Sequence, residues 1–202
     1  NILIGNFRYI PEKLKKRFDA NIVVKFENNL VCNFTGRMRH SGDEKDHIKL
    51  LENSIIQSLD IHLSNGNISG ITKFKLFIPE SRGIFEDEIF VTELLRELNF
   101  LAPRTSYVDV KINDVNTKMI FQEKAAKELL EFNLRREGPI LEGDERFLLR
   151  LVEAANLPDN QLSNFSIGVL PLLEAGVNAS FARQINTNWI TRSKKHAIIS
   201  YN

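Results

Sequence analysis

The sequence predicts an α+β chain: a strand-rich N-terminal lobe over residues 1–123 that holds one central helix, then a helical C-terminal portion over 124–202. Three observations carry this. Between residues 21 and 78 apolar and polar residues alternate, the period of strands with one buried face. From 90 to 98 the period becomes that of a helix, and a hairpin pattern follows directly. Past about residue 124 the apolar pattern is helical. That change reads as the join between two lobes more than between two independent domains.

Taken in order, PEKLKKRF at 11–18 fits either a short basic helix with Pro11 at its first position or a solvated turn. Residues 21–37 read as a hairpin: Ile22, Val24 and Phe26 share one face, and 27–29 supply the turn. Cys32, in its second strand, reads as a small buried hydrophobe. The polar run RMRHSGDEKDH at 37–47 has two readings. It is an ordinary connection, or a loop over phosphates in which Gly42 lets the backbone approach and Arg37, Arg39 or His40 supply charge. It matches neither a Walker A motif nor a GxGxxG loop.

Residues 54–63 alternate as a strand, SNGN at 64–67 is a turn, and 71–78 form the next strand. There Lys73 and Lys75 share one face, with Phe74 and Leu76 on the other. Pro79 ends the strand, and an acid-rich segment at 80–88 suits a helix N-terminus. Phe90, Leu94, Leu95 and Leu98 form the apolar stripe of the central helix; Asn99 ends it and Pro103 forbids its continuation. Tyr107, Val108 and Val110, then Met119, Ile120 and Phe121, mark two strands joined at Asn113 and Asp114, which tolerate a left-handed backbone. Residues 123–133 read as an amphipathic helix, and Gly–Pro and Gly–Asp make the next segment irregular. Helical stripes resume at 147–152 and through 170–190.

Composition excludes several classes. The net charge of +1 offers no field for nucleic acid or an anionic membrane surface. One cysteine excludes an internal disulfide framework and a multi-cysteine zinc site. No apolar run approaches the ~20 residues of a membrane-spanning helix. Fourteen phenylalanines against three tyrosines and one tryptophan predict a phenylalanine-rich core. The chain begins with Asn, so it reads as a fragment or a processed form, and its compartment is not encoded at this end.

The runs FVTELLRELNFLAPRT, MIFQEKAAKELLE and RREGPILEGDE resemble the CotH kinase-like family, atypical protein kinases of the spore-coat protein H type. The resemblance is clearest over residues 71–145 and spans part of the catalytic domain such a family has. It implies an atypical protein-kinase-like fold, ATP and Mg²⁺ as cofactors, and a protein substrate phosphorylated on Ser or Thr.

Phosphoryl transfer needs a cation on the nucleotide phosphates, a carboxylate that positions it, acids that hold Mg²⁺ and a base for the acceptor hydroxyl. Lys75, on the strand before the helix, is the first choice for the cation and Lys73 the second, although both also read as plain surface lysines. Aligned one strand earlier, the resemblance puts His62 in that place, a weaker cation near neutral pH. Glu93 takes the helix carboxylate by its place in the motif. Glu97 lies one turn on, and pairing with Arg96 is the structural alternative for either acid. The segment at 121–124 reads as a hinge, with Glu123 accepting from a ribose hydroxyl or from Lys124 and Lys127, or capping a helix.

The resemblance implies magnesium ligands and a catalytic base on Asp-bearing segments further downstream; beyond residue 145 the acids Glu153, Asp159 and Glu174 stand isolated, so the expectation is a truncation before the catalytic half, with a degenerate ending as the alternative. Three functions follow: an ATP-dependent protein kinase or part of one, a nucleotide- or protein-binding module without transfer activity, and a structural coat component.

Overall fold

The computed structural model describes residues 10, 12–51, 54–83, 86–138, 140–143 and 182–184. The chain divides into two compact units, Asn1–Lys124 with Glu128–Arg135, and Ala125–Lys127 with Arg136–Asn202.

The first unit is built on one antiparallel sheet. Strands β1 (Phe18–Lys25) and β2 (Val31–His40) form the opening hairpin, and Asn29 takes φ 63° in its turn. A 3₁₀ turn at Lys45–His47 leads to β3 (Ile48–Leu51) and β4 (Ser54–Gln57), a separate two-stranded sheet. Then come β5 (Leu59–Leu63), β6 (Lys73–Phe77), helix α1 (Asp87–Glu97), β7 (Thr105–Ile112) and β8 (Val115–Glu123). The six-stranded order is β1-β2-β5-β6-β8-β7. Helix α1 therefore interrupts the strand succession between β6 and β7, and it lies against β7. A short helix α2 (Lys127–Phe132) closes the unit, with Leu129 and Leu130 buried.

Several elements follow local chemistry. Asn113 and Asp114 take φ 46° and 70°, the paired left-handed residues of a hairpin turn whose twist suits its strands. Asn99 takes φ 62° at the end of α1, and the Phe100 N–H bonds the Leu95 carbonyl beyond it. Asp87 and Glu88 occupy the first turn of α1, where the helix dipole favours negative charge.

Four expectations need correction. Of residues 12–18, Glu12–Leu14 form a 3₁₀ turn, which fits the turn alternative and not the basic helix, and the segment ends earlier than read because β1 starts at Phe18. The run 54–63 is two strands in two sheets. Ser58 breaks it: its N–H donates to the His47 carbonyl, its carbonyl accepts from Ser41, and its hydroxyl accepts from the Ile78 N–H. With those bonds made, neither ladder passes through it. The helix read from 123 begins at Lys127, because β8 continues pairing to Glu123.

The fourth correction concerns α1. Phe90, Leu94 and Leu98 face outward, with Phe90 66% and Leu98 58% exposed, while Thr92 is buried. The helix turns Glu88, Thr92 and Leu95 inward, an i, i+4, i+7 stripe in which two of three residues are polar, because the sheet surface beneath carries polar side chains.

The sheet sets two faces apart by strict alternation. Met38, Leu59, Ile61, Phe74, Leu76 and Phe121 lie on one, and most of them join Ile56, Ile71, Ile78 and Met119 in the core. Phe74 stacks on Phe121 with ring centroids 4.8 Å apart. Each such fully buried side chain contributes about 1.5–3 kcal/mol. The phenylalanine-rich core holds in part: Phe34, Phe74 and Phe77 are buried, and Phe18, Phe90, Phe100 and Phe132 are not.

In the second unit, β9 (Leu141–Gly143) pairs antiparallel with β10 (Ala182–Gln184). A strand therefore stands at 182–184 inside the run read as helical. The helical stripe at 147–152 and the rest of 170–190 lie outside the described residues, as do Glu153, Asp159 and Glu174.

Candidate functional site

The other face of the sheet is polar. Register places Arg39, Asp60, Lys75 and Gln122 in one row across β2, β5, β6 and β8, with Arg37, His62 and Lys73 in the next. Directly opposite residues share a face, so these side chains leave the sheet on the same side.

Asp60 is the centre of this face. Its side chain is 3% exposed. One oxygen, Oδ2, accepts from Arg17 Nη2 at 3.0 Å, Lys124 Nζ at 3.1 Å and Arg39 Nε at 3.3 Å. The other, Oδ1, is buried without a hydrogen bond; His62 Nε2 lies 3.2 Å away. The same imidazole nitrogen is 3.1 Å from Arg17 Nη2 and 3.5 Å from Lys124 Nζ. Arg17 also holds the backbone, donating from Nη1 to the carbonyls of Arg37 and Asp60 at 3.3 Å each.

Burial alone would raise the Asp60 carboxyl. The His62 imidazole and the charges of Lys124 and Arg17 outweigh it and hold Asp60 far below the usual carboxylate range. Burial pushes the Lys124 ammonium down; Asp60 opposes that, while Arg17 and Arg39 add to it.

A second group adjoins the first. Glu88, in the first turn of α1, accepts from Arg82 Nη2 at 2.8 Å and Nε at 3.0 Å, and from the Gln122 amide at 2.5 Å. Gln122 is the register partner of Lys75. Burial raises the Glu88 carboxyl, but the bonds from Arg82 and Gln122, with the Arg82 and Lys75 charges, bring it below its ordinary value. Phe77 floors this group, with Arg82 4.6 Å and Lys75 Nζ 5.4 Å from its ring centre.

The residues singled out from sequence fall into two sets. His62 and Lys75 share the polar face, in adjacent rows. Glu93 and Glu123 are elsewhere. Glu93 pairs with Arg96 at 2.6 Å near the helix surface. Glu123 is the register partner of Phe74 on the opposite side of the sheet, 1% exposed, and clamped by Arg104. Of the phosphate-loop residues, Arg39 reaches Asp60, Arg37 is exposed beside Asp19, and His40 is buried. Gly42 packs on the His47 ring.

Arg17, Asp60 and Glu88 were not singled out, and Lys124, expected as a partner of Glu123, pairs with Asp60 instead. Asp60 had a signal, because it sits two residues before His62 in an alternating strand and so shares its face. Arg17 and Glu88 had none: both lie just outside the regular patterns that locate a face.

A groove of about 410 Å³ lined by Lys49, Ile78, Glu80, Glu86 and Lys118 lies apart from this face. Among the described residues no group of three His, Cys, Asp or Glu side chains converges as metal ligands. No helix among them is long and apolar enough to cross a membrane. Compared with known protein families, curated proteins and solved structures, the chain gives no match.

Proposed function

We propose that the first unit is the nucleotide-binding lobe of an atypical protein kinase of the CotH type, holding ATP phosphates on its polar sheet face for transfer to Ser or Thr. One observation carries the reading. Lys75 lies on the strand that precedes α1, and a carboxylate of that helix, Glu88, faces the same surface within reach of the Lys75 charge. A strand lysine oriented by a helix acid is the arrangement that protein kinases use on nucleotide phosphates. On this reading Glu88 takes the part that the sequence motif assigns to Glu93. The cations of the polar face fit polyphosphate; among the described residues no group of three acids or histidines converges for a metal, and the reading assigns Mg²⁺ and the catalytic base no residue.

A nucleotide-binding module without transfer activity is the second reading. Its support is the double hydrogen bond from Arg82, which occupies Glu88 and competes with Lys75 for it.

The test is thermal stability of the whole chain with ATP, with and without Mg²⁺. Nucleotide at 100 times its dissociation constant adds about 2.7 kcal/mol. Lys75→Met should weaken ATP binding and so shrink the shift, Glu88→Gln should reduce it less, and Glu93→Gln should leave it intact. No shift with millimolar ATP, ADP or GTP overturns the nucleotide reading. Binding without phosphate transfer to any Ser- or Thr-containing acceptor favours the second reading over the first.

A further inference from the structure

We infer that Arg17, Lys124 and His62 form a separate oxyanion site, for a phosphate group, built over the buried carboxylate of Asp60. It stands on residues other than Lys75 and Glu88 and does not require ATP to be the ligand beside it.

Among the described residues, Asp60 is the acid that ion-pairs with both Arg17 and Lys124, and they share its single oxygen Oδ2, which Arg39 Nε also reaches. One negative charge is thus divided between neighbouring cations. Arg17 and Lys124 are each 21% exposed and His62 is 34% exposed. They are too buried for water to screen their repulsion fully and open enough for a small anion to reach. His62 Nε2 lies within 3.5 Å of both donors, so the three groups line one spot.

Asp60 meets Arg17, Lys124 and Arg39 through Oδ2 alone, while its buried Oδ1 faces His62 Nε2 at 3.2 Å, a donor only when that nitrogen carries the proton. An anion that draws on Arg17 and Lys124 favours the Nε2–H form of His62, and Asp60 Oδ1, 3.2 Å away, is then its acceptor. The bound anion and the carboxylate each gain the donor they lack. The guanidinium and ammonium suit tetrahedral phosphate, the first by its planar fork and the second as a point charge. Arg37 and Lys73, in the row of His62, extend positive charge along the same face.

The ligand chemistry is a phosphate group, whether free or carried by a nucleotide, and the experiment separates the two. The whole chain is titrated with inorganic phosphate in EDTA, against sodium chloride at equal ionic strength, and separately with ATP and Mg²⁺. Binding is read from thermal shift and from the imidazole NMR signals of the four histidines. The site predicts that phosphate moves the His62 signals. Arg17→Met and Lys124→Met each weaken phosphate by roughly tenfold or more, as expected for a lost charge-assisted bond. Lys75→Met leaves phosphate affinity within about twofold.

Phosphate that acts no differently from chloride overturns the site, as does binding that survives both Arg17→Met and Lys124→Met. Loss of phosphate binding in Lys75→Met overturns its separateness. Movement confined to other histidines overturns its location, even if a variant fails to fold. A failed ATP arm with a successful phosphate arm leaves this site standing and removes only the nucleotide reading.

Discussion

Replacing Glu123 by Gln should cost the fold several kcal/mol and leave nucleotide binding alone. Glu123 is 1% exposed, and its two oxygens accept from Arg104 Nη2 and Nε at 2.8 Å each. The backbones of the two residues are tied as well, with the Glu123 N–H donating to the Arg104 carbonyl at 2.9 Å. Arg104 is itself mostly buried, spread over the Phe132 ring at 4.0 Å and bonded to the Ser69 carbonyl. Gln keeps the shape but removes the charge and sets an amide N–H against an arginine donor. Breaking a buried pair from one side costs about 3–5 kcal/mol, because the remaining charge stays desolvated. Gln retains one acceptor, which points to the lower end, about 3 kcal/mol. That corresponds to a fall in Tm on the order of 10 °C.

Urea unfolding followed by circular dichroism measures it. The double variant Arg104→Met with Glu123→Leu should lose less than the two single losses added, since no lone charge remains. A Glu123→Gln protein as stable as wild type, but weakened in ATP binding, would refute this reasoning and return Glu123 to the ribose-binding role its position in the sequence suggests.

Three further outcomes concern the same unit. Asp60 titrates well below its unfolded value of about 3.9, so its contribution is fully present above about pH 4 and fades as pH falls further. The stability gap between wild type and Asp60→Asn, from urea melts between pH 7 and 2, should therefore shrink below pH 4. Burial, then the charges of Lys15 and His47, lowers His40 from 6.5 to about 4. The unfolded chain binds the extra proton between those values, so stability is intact above pH 6.5 and falls by up to about 3 kcal/mol toward pH 4. His40→Phe should flatten that slope, leaving the smaller part due to His47, which burial also lowers. Gly42 has φ 105°, and a Cβ there would lie 2.1 Å from the His47 ring, so Gly42→Ala should destabilise by at least ~1–3 kcal/mol in the same melts.

Local chemistry alone placed the elements whose signals are local. The Asn113–Asp114 turn needs only two residues that accept positive φ. The end of α1 at Asn99 needs only a left-handed residue before a proline. Alternation put Lys73 and Lys75 on one face and Phe74 and Leu76 on the other, and the structure keeps them so.

What the sequence by itself determined was therefore the α+β class, the hairpins, and which residues of a strand share a side. Only the tertiary structure decided which sides meet. Sequence periodicity finds the apolar stripe of α1 but not its direction, and packing turned Glu88 and Thr92 inward and left Phe90 and Leu98 outside. Arg17 and Asp60 are 43 residues apart and Asp60 and Lys124 64 apart, and they converge because the four strand pairings from β1 to β8 bring them together. Long-range convergence of this kind depends on register between strands, and register is set by the whole sheet rather than by any one segment.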